Sequence, residues 1–425
     1  MKKNLSLALA ALLGLLFFFC GELAQRQINK PVKEPRFYSD TSRIVVCSKA
    51  LEALGKIGDP GAKQTLARGL KSSNFIIRAA AVEAINRLGD KSAIPVLKKH
   101  LRDNNTIIRV LTAKTLLNFG EPGMEGRLLG YLNNNDVSIR ALTVEQLGEF
   151  KYRYLNRIAQ LLAKDKNDLV RIKAIQQLGI NKFNPAMPLI QKALGDPNPR
   201  VRQAACVAIS QLKDYLRFNY LDQMLKDKEA IVRSAAKIGM SEAPKTSGTG
   251  GGEKTDTLLI LLKQDLDSNN PVLRVSSFVG LANLRDVKIL PLLLKEVVLA
   301  SNSSFIKKGA AKALRILKPY VVESFDGMTK SSALSSADLE LSYKVNGKNL
   351  LSLVIESLGN PTSPLHADSV FILGELREEA SLPALRAALF QDDTDIAASA
   401  AYVLGLFRDK GAVPYLIKVC KLYGL

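Results

Sequence analysis

The residues with the widest chemical range are few. The chain has two histidines, His100 and His366, and four cysteines, Cys20, Cys47, Cys206 and Cys420. A metal centre needs several ligands converging at fixed spacing, and neither histidine has a cysteine or paired carboxylates beside it. No metal and no cofactor are expected. The segment Gly248–Thr255, GTGGGEKT, has the composition of a phosphate loop, but that loop requires glycine immediately before the lysine. Glu253 stands there, and no strand precedes it. It reads as an interhelical loop. The pairing that does recur is an aspartate six positions before an arginine: Asp103 and Arg109, Asp165 and Arg171, Asp196 and Arg202, Asp227 and Arg233. Carboxylate and guanidinium make a bidentate ion pair, a structural bond rather than a catalytic one. No nucleophile–base pair emerges, and no catalytic residue is expected.

These couples sit in a repeat. Arg78, Arg109, Arg140, Arg171, Arg202 and Arg233 follow one another in steps of 31 residues, and one step back from Arg78 is Cys47. The register shifts across a Gly/Ser/Thr-rich insertion and resumes at Arg274, Lys307, His366 and Ala397. From each column residue, positions +3, +4, +7 and usually +10 are apolar, a helical period. Small or turn-prone residues follow at +8 or +11, as at Gly55, Gly58, Gly89, Gly120, Gly148, Gly374 and Gly405, where glycine suits a helix end. A second helix follows, often with proline in its first turn, where no hydrogen bond is lost. Each unit is thus a helix pair that buries its apolar faces only by stacking on its neighbours.

This pattern resembles HEAT repeats, of the short variety first named after phycobilisome lyases. The resemblance runs from Cys47 to Leu425. It implies an all-α fold, an α-solenoid: a right-handed superhelix of about 11–12 helical-hairpin repeats of about 31 residues. It also implies that the aspartates and arginines above form a ladder between adjacent repeats, and that the helices carrying the column line a concave face. The HEAT-type hydroxylases hold iron on His–Glu pairs that are missing here. The expected organisation is an export segment at 1–20, a tether at 21–44, a solenoid at 45–320 with an insert at 244–254, a degenerate repeat or irregular insert at 321–349, and C-terminal repeats at 350–425. Within 321–349, Val345–Lys348 could be a hairpin turn. Adjacent repeats stack about 10 Å apart, so Cys47 and Cys206, five units apart, cannot meet. Cys420 is expected further still, and intramolecular disulfides are not expected.

Lys2 and Lys3 precede an apolar run from Leu5 to Phe19, a basic start and a short apolar core that read as an export signal. Phe17-Phe18-Phe19-Cys20 resembles the lipobox of bacterial lipoproteins, which implies lipidation at Cys20. Phe19 departs from the small residue usual at its position. The expectation is an exported protein, anchored to the membrane in the bacterial periplasm or outer membrane.

Function then rests on surface. Helical geometry turns +2, +5 and +9 away from the packed positions. The +5 column is charged or polar through five units and mostly apolar afterwards, giving a candidate stripe of Val207, Ile238, Val279, Phe371 and Tyr402 for a partner helix or peptide. The formal net charge is +20, concentrated toward the front. Lys49, Lys56, Arg87 and Lys114 form a second candidate, for an anionic envelope surface such as lipid headgroups or cell-wall polymer. The main expectation is a non-enzymatic protein-binding scaffold or adaptor that captures a protein partner on the concave surface. A remote third reading is a HEAT-like nucleic-acid-acting enzyme. An export signal and the absence of tryptophan weigh against it, and no nucleic acid is expected as partner.

Overall fold

The computed structural model describes residues 40–212, 217–242, 251–299, 301–328, 344–345 and 348–425. The export segment 1–20 with its Cys20, residues 21–39 of the tether, 244–250 of the insert and most of 329–349 lie outside the described residues. The helices in chain order are α1 (Asp40–Ile57), α2 (Lys63–Gly69), α3 (Phe75–Leu88), α4 (Ile94–His100), α5 (Thr106–Asn118), α6 (Met124–Gly130), α7 (Val137–Gly148) and α8 (Leu155–Lys164). They continue as α9 (Asp168–Ile180), α10 (Met187–Ala193), α11 (Pro199–Gln211), α12 (Arg217–Met224), α13 (Ala230–Ser241), α14 (Gly251–Asp265), α15 (Pro271–Asn283), α16 (Leu290–Val298) and α17 (Ser304–Met328). The last are α18 (Leu350–Leu358), α19 (His366–Leu376), α20 (Leu382–Ala388), α21 (Thr394–Phe407) and α22 (Val413–Leu422). Lys344–Val345 and Lys348–Asn349 pair as two short strands on either side of the turn read from the sequence. The fold is an all-α solenoid of stacked helix pairs.

Three boundaries move. The segment expected as tether ends earlier, because α1 starts at Asp40. The insert ends earlier too, because Gly251–Lys254 already belong to α14. The boundary drawn at 320 falls inside α17, which continues past Pro319 to Met328.

The helices group into two compact units, Met1–Met124 with Lys348–Leu425, and Glu125–Gly347. In the second unit the column helices α7, α9, α11, α13, α15 and α17 pack in chain order, each on the next. In the first unit the order is α19, α21, α1, α3, α5. The first described helix therefore packs between the last repeat and the second. This corrects the placement of Cys420. It lies on α22, which also packs on α1, and its thiol is within hydrogen-bonding reach of Cys47. The sequence argument stepped repeats outward in a line, and that assumption fails here.

Local chemistry explains the helix boundaries. Asn74, Asn105, Asp136, Asn167, Asn198, Asn270 and Asp393 each cap a column helix by accepting from the N–H two residues on, which satisfies an otherwise orphaned donor. Gly89 ends α3 in the left-handed region at φ 71°, a conformation glycine adopts without strain. The +8 glycines do something else, and this corrects the helix-end reading. Gly405 lies inside α21, where an added Cβ would stand 2.8 Å from Ala53 Cα on α1. The missing side chain lets two helices approach closely. Prolines enter the first turn of α4, α10, α16, α20 and α22.

Candidate partner-binding surface

The arginine column is fully committed to structure. Arg202 donates from Nε and Nη2 to Asp227 at 2.7 and 2.9 Å, and from Nη1 to the main-chain oxygens of Asp196 and Pro197. Arg78 meets Asp103, Arg140 meets Asp165 and Arg171 meets Asp196 in the same way. Each aspartate therefore pairs by its side chain with the arginine of the preceding repeat. Its main-chain oxygen serves the arginine six residues on, as Asp103 does for Arg109 and Asp227 for Arg233. Unit two also takes part, through Arg78, although it lacks the acid six positions earlier.

The Arg202 hydrogen bonds hold the Asp227 carboxyl below the usual carboxylate range against an upward push from burial. At Asp103 and Asp165 burial pushes up, and the bonds from Arg78 and Arg140 with backbone N–H groups outweigh it. Shallow clefts of about 340 and 560 Å³ lie along these turns, lined by Arg78 and by Arg140 with Asp165. Their guanidinium groups already have carboxylate partners.

The histidines are also engaged. His100 Nδ1 lies 3.3 Å from Asp103 Oδ2, and His366 Nδ1 lies 3.2 Å from the Ser357 oxygen. Among the described residues no group of three or more His, Cys, Asp or Glu converges as a metal site would require. No helix among them is long and apolar enough to cross a membrane.

The two candidate surfaces look different in space. Val279 is only 3% exposed, since α15 is buried continuously from Ser276 to Ala282. It is not a contact residue: helix rotation predicted its exposure, and neighbouring helices cover it. Val207, 43% exposed, and half-buried Ile238 remain as a pair on adjacent α11 and α13 of the second unit. Phe371 and Tyr402 form another pair on adjacent α19 and α21 of the first unit. Among the basic candidates Lys114 is wholly buried, its Nζ 3.6 Å from Glu83 Oε2 on α3. It faces the neighbouring helix and cannot serve an anionic surface. Arg87 is exposed at the end of α3, and Lys49 and Lys56 are half-buried on α1.

Because α21 packs on α1, the remaining candidates of the first unit converge. Lys56 Nζ lies 4.3 Å from the centroid of the Tyr402 ring and Lys49 Nζ lies 5.9 Å from it. A cation over an aromatic face at such distances gains about 0.5–1 kcal/mol when partly exposed. Lys49 also bonds Glu52 at 3.0 Å. Burial pulls the Lys56 ammonium below its ordinary pKa; Glu52 opposes that, while Arg87 and Lys49 add to it. Three cations, one carboxylate and a ring 37% exposed share one face. Such a face suits a segment that offers both carboxylates and an apolar side chain.

One apolar column escaped the helical-wheel reasoning. Position −2 carries Val45 and Ile76 on adjacent α1 and α3, and Leu169 and Phe305 in the second unit, all exposed. Its signal was present in the repeated IIR, LVR and FIK triplets, but attention fell on the positions after the column residue.

A family model described as HEAT repeats matches residues 39–116 and 155–241, so these two stretches are HEAT repeats. A search of curated proteins finds no match. Among solved structures, YibA of E. coli is similar at 18% identity, covering 71% of this chain and 95% of that one, with a TM-score of 0.29. Human deoxyhypusine hydroxylase is 17% identical over 64% of this chain and 99% of its own, with a TM-score of 0.28. The complex of CpcE and CpcF of phycocyanin lyase from Nostoc sp. is 17% identical over 66% and 93%, with a TM-score of 0.29. Likeness at these scores supports no inference about activity.

Proposed function

We propose that this chain is a non-enzymatic protein-binding scaffold, exported and tethered to the bacterial envelope through its N-terminal segment, with lipidation at Cys20. The single observation that carries the binding role is the joint face of Tyr402, Lys56, Lys49 and Arg87 in the first unit. An aromatic ring under two ammonium groups offers apolar area and positive charge to one partner segment, the combination found at binding hot spots. The export reading is supported by Lys2, Lys3 and the apolar run to Phe19.

The test is crosslinking in the native envelope with mass spectrometry, comparing the native chain with a Tyr402→Glu, Lys56→Glu variant. The native chain should crosslink one protein through α1 or α21. The variant should lose that crosslink at least tenfold while its circular dichroism and melting are unchanged. Full retention of the partner by the folded variant would sink the reading. Intact mass of the mature N-terminus tests Cys20.

A second reading, docking to anionic lipid headgroups or cell-wall polymer, draws support from exposed Arg68, Lys71, Lys99 and Arg102 on and beside α2 and α4. Part of that charge is already paired, Lys63 with Asp90 at 3.2 Å and Lys98 with Glu121 at 2.6 Å. Headgroup docking would weaken steeply as salt rises, and sedimentation with anionic vesicles at two salt concentrations separates the two readings.

A further inference from the structure

Cys47 on α1 and Cys420 on α22 are both fully buried where α1 packs on the last repeat. Their thiols are within hydrogen-bonding reach of each other although they stand near opposite ends of the sequence. The surrounding packing is close: Gly405 allows α21 to lie against Ala53 of α1, and α22 packs on α1 and on the turn Pro60–Ala62. We propose that Cys47 and Cys420 are a modification site, the two halves of an intramolecular disulfide that ties the first described helix to the last. Cys206 is an internal comparison. It is equally buried, in the second unit, and burial pushes its thiol up to about 12.

The chemistry needs a disulfide oxidant, either a small disulfide or an oxidoreductase carrying one. A cysteine thiolate attacks the oxidant's S–S bond, forming a mixed disulfide and releasing one thiol. The second cysteine's thiolate then attacks the protein sulfur of that mixed disulfide, forming the Cys47–Cys420 bond and expelling the other thiol. The two cysteines lose two protons and two electrons, and the oxidant's disulfide takes up both. Contact with Cys47, and then burial, hold the Cys420 thiol well above its ordinary value, so the packed pair is a slow nucleophile. The bond forms while α22 is away from α1, before or between closures.

The full chain would be unfolded and refolded in a buffer of oxidised and reduced glutathione, quenched with acid, and run on a denaturing gel without reductant. A bond between residues so far apart compacts the denatured chain. The expected result is a faster-migrating band, reversed by dithiothreitol, whose digest contains a Cys47–Cys420 linked peptide. Cys206→Ala should keep the band; Cys47→Ala and Cys420→Ala should lose it. The linked peptide from the native sequence decides the matter even if an alanine variant folds poorly. Absence of the fast band, or linkage to Cys20, to Cys206 or between chains, would overturn the assignment.

Discussion

Asp227 and Arg202 show how much one ion pair can carry. Their side chains are nearly buried and bonded bidentately, and removing one partner from such a pair leaves a desolvated charge behind. Arg202 would keep its two main-chain acceptors, so Asp227→Asn should cost about 2–3 kcal/mol rather than the upper end for a buried pair. Chemical denaturation would read that as a lower midpoint with an unchanged slope; a loss below about 0.5 kcal/mol would refute it. The same carboxylates set an acid limit. Asp103, Asp165 and Asp227 titrate below their ordinary 3.8 in the fold, so the unfolded chain binds protons more readily than the native one. Their stabilisation is fully present above that ordinary value and is lost as pH falls through the lowered native values. Melting temperature should hold from pH 7 to about 5 and fall steeply below about 4; a flat profile to pH 3 would contradict it. The arginines and aspartates were legible as a column, but the partner was not. Spacing of six suggested a couple within one turn, whereas the carboxylate reaches back to the preceding arginine, a contact that only stacking creates.

Helix contact depends on glycines that have no conformational task. Gly405→Ala would push a Cβ to 3.0 Å from Ala53 Cβ and 2.8 Å from its Cα. Overpacking of that kind costs about 1–3 kcal/mol. Gly130, at the end of α6, has nothing within 4 Å of an added Cβ, so Gly130→Ala should be neutral or stabilise by up to about 1 kcal/mol. Thermal melts of the two variants should therefore shift in different directions, and equal shifts would show that the close approach is not limiting. Helix periods and the second-helix prolines could be read from residue types because they follow local sterics. Exposure within the column helices could not. Lys114 and Val279 sit at the same wheel position as Tyr402, yet neighbours cover the first two and leave the third half open. Rotation of a helix relative to its neighbours is a packing outcome, and small differences in it exchange solvent for a partner helix.

At the scale of the whole molecule, α1 is not a terminal cap. It has a column helix on each side, α3 and α21, and its apolar positions match those of an internal repeat. A chain stopped after residue 393 should lose amide protection throughout α1, read by hydrogen exchange, while α9 and α11 keep theirs. Unchanged protection in α1 would mean that the last repeat contributes nothing to it. Nothing in a fixed period of 31 residues announces such a meeting, because periodicity records each step and not the sum of the turns. The two units are also nested, Glu125–Gly347 lying within a unit whose halves are distant in sequence. During synthesis the embedded unit has all its residues available early, whereas α1 must wait for the final repeat before its second flank is covered. Until then an apolar helix surface is open to misassociation, so a holding chaperone, or a pause in release of the last residues, would bear more heavily on this protein than on a solenoid whose neighbours are always consecutive.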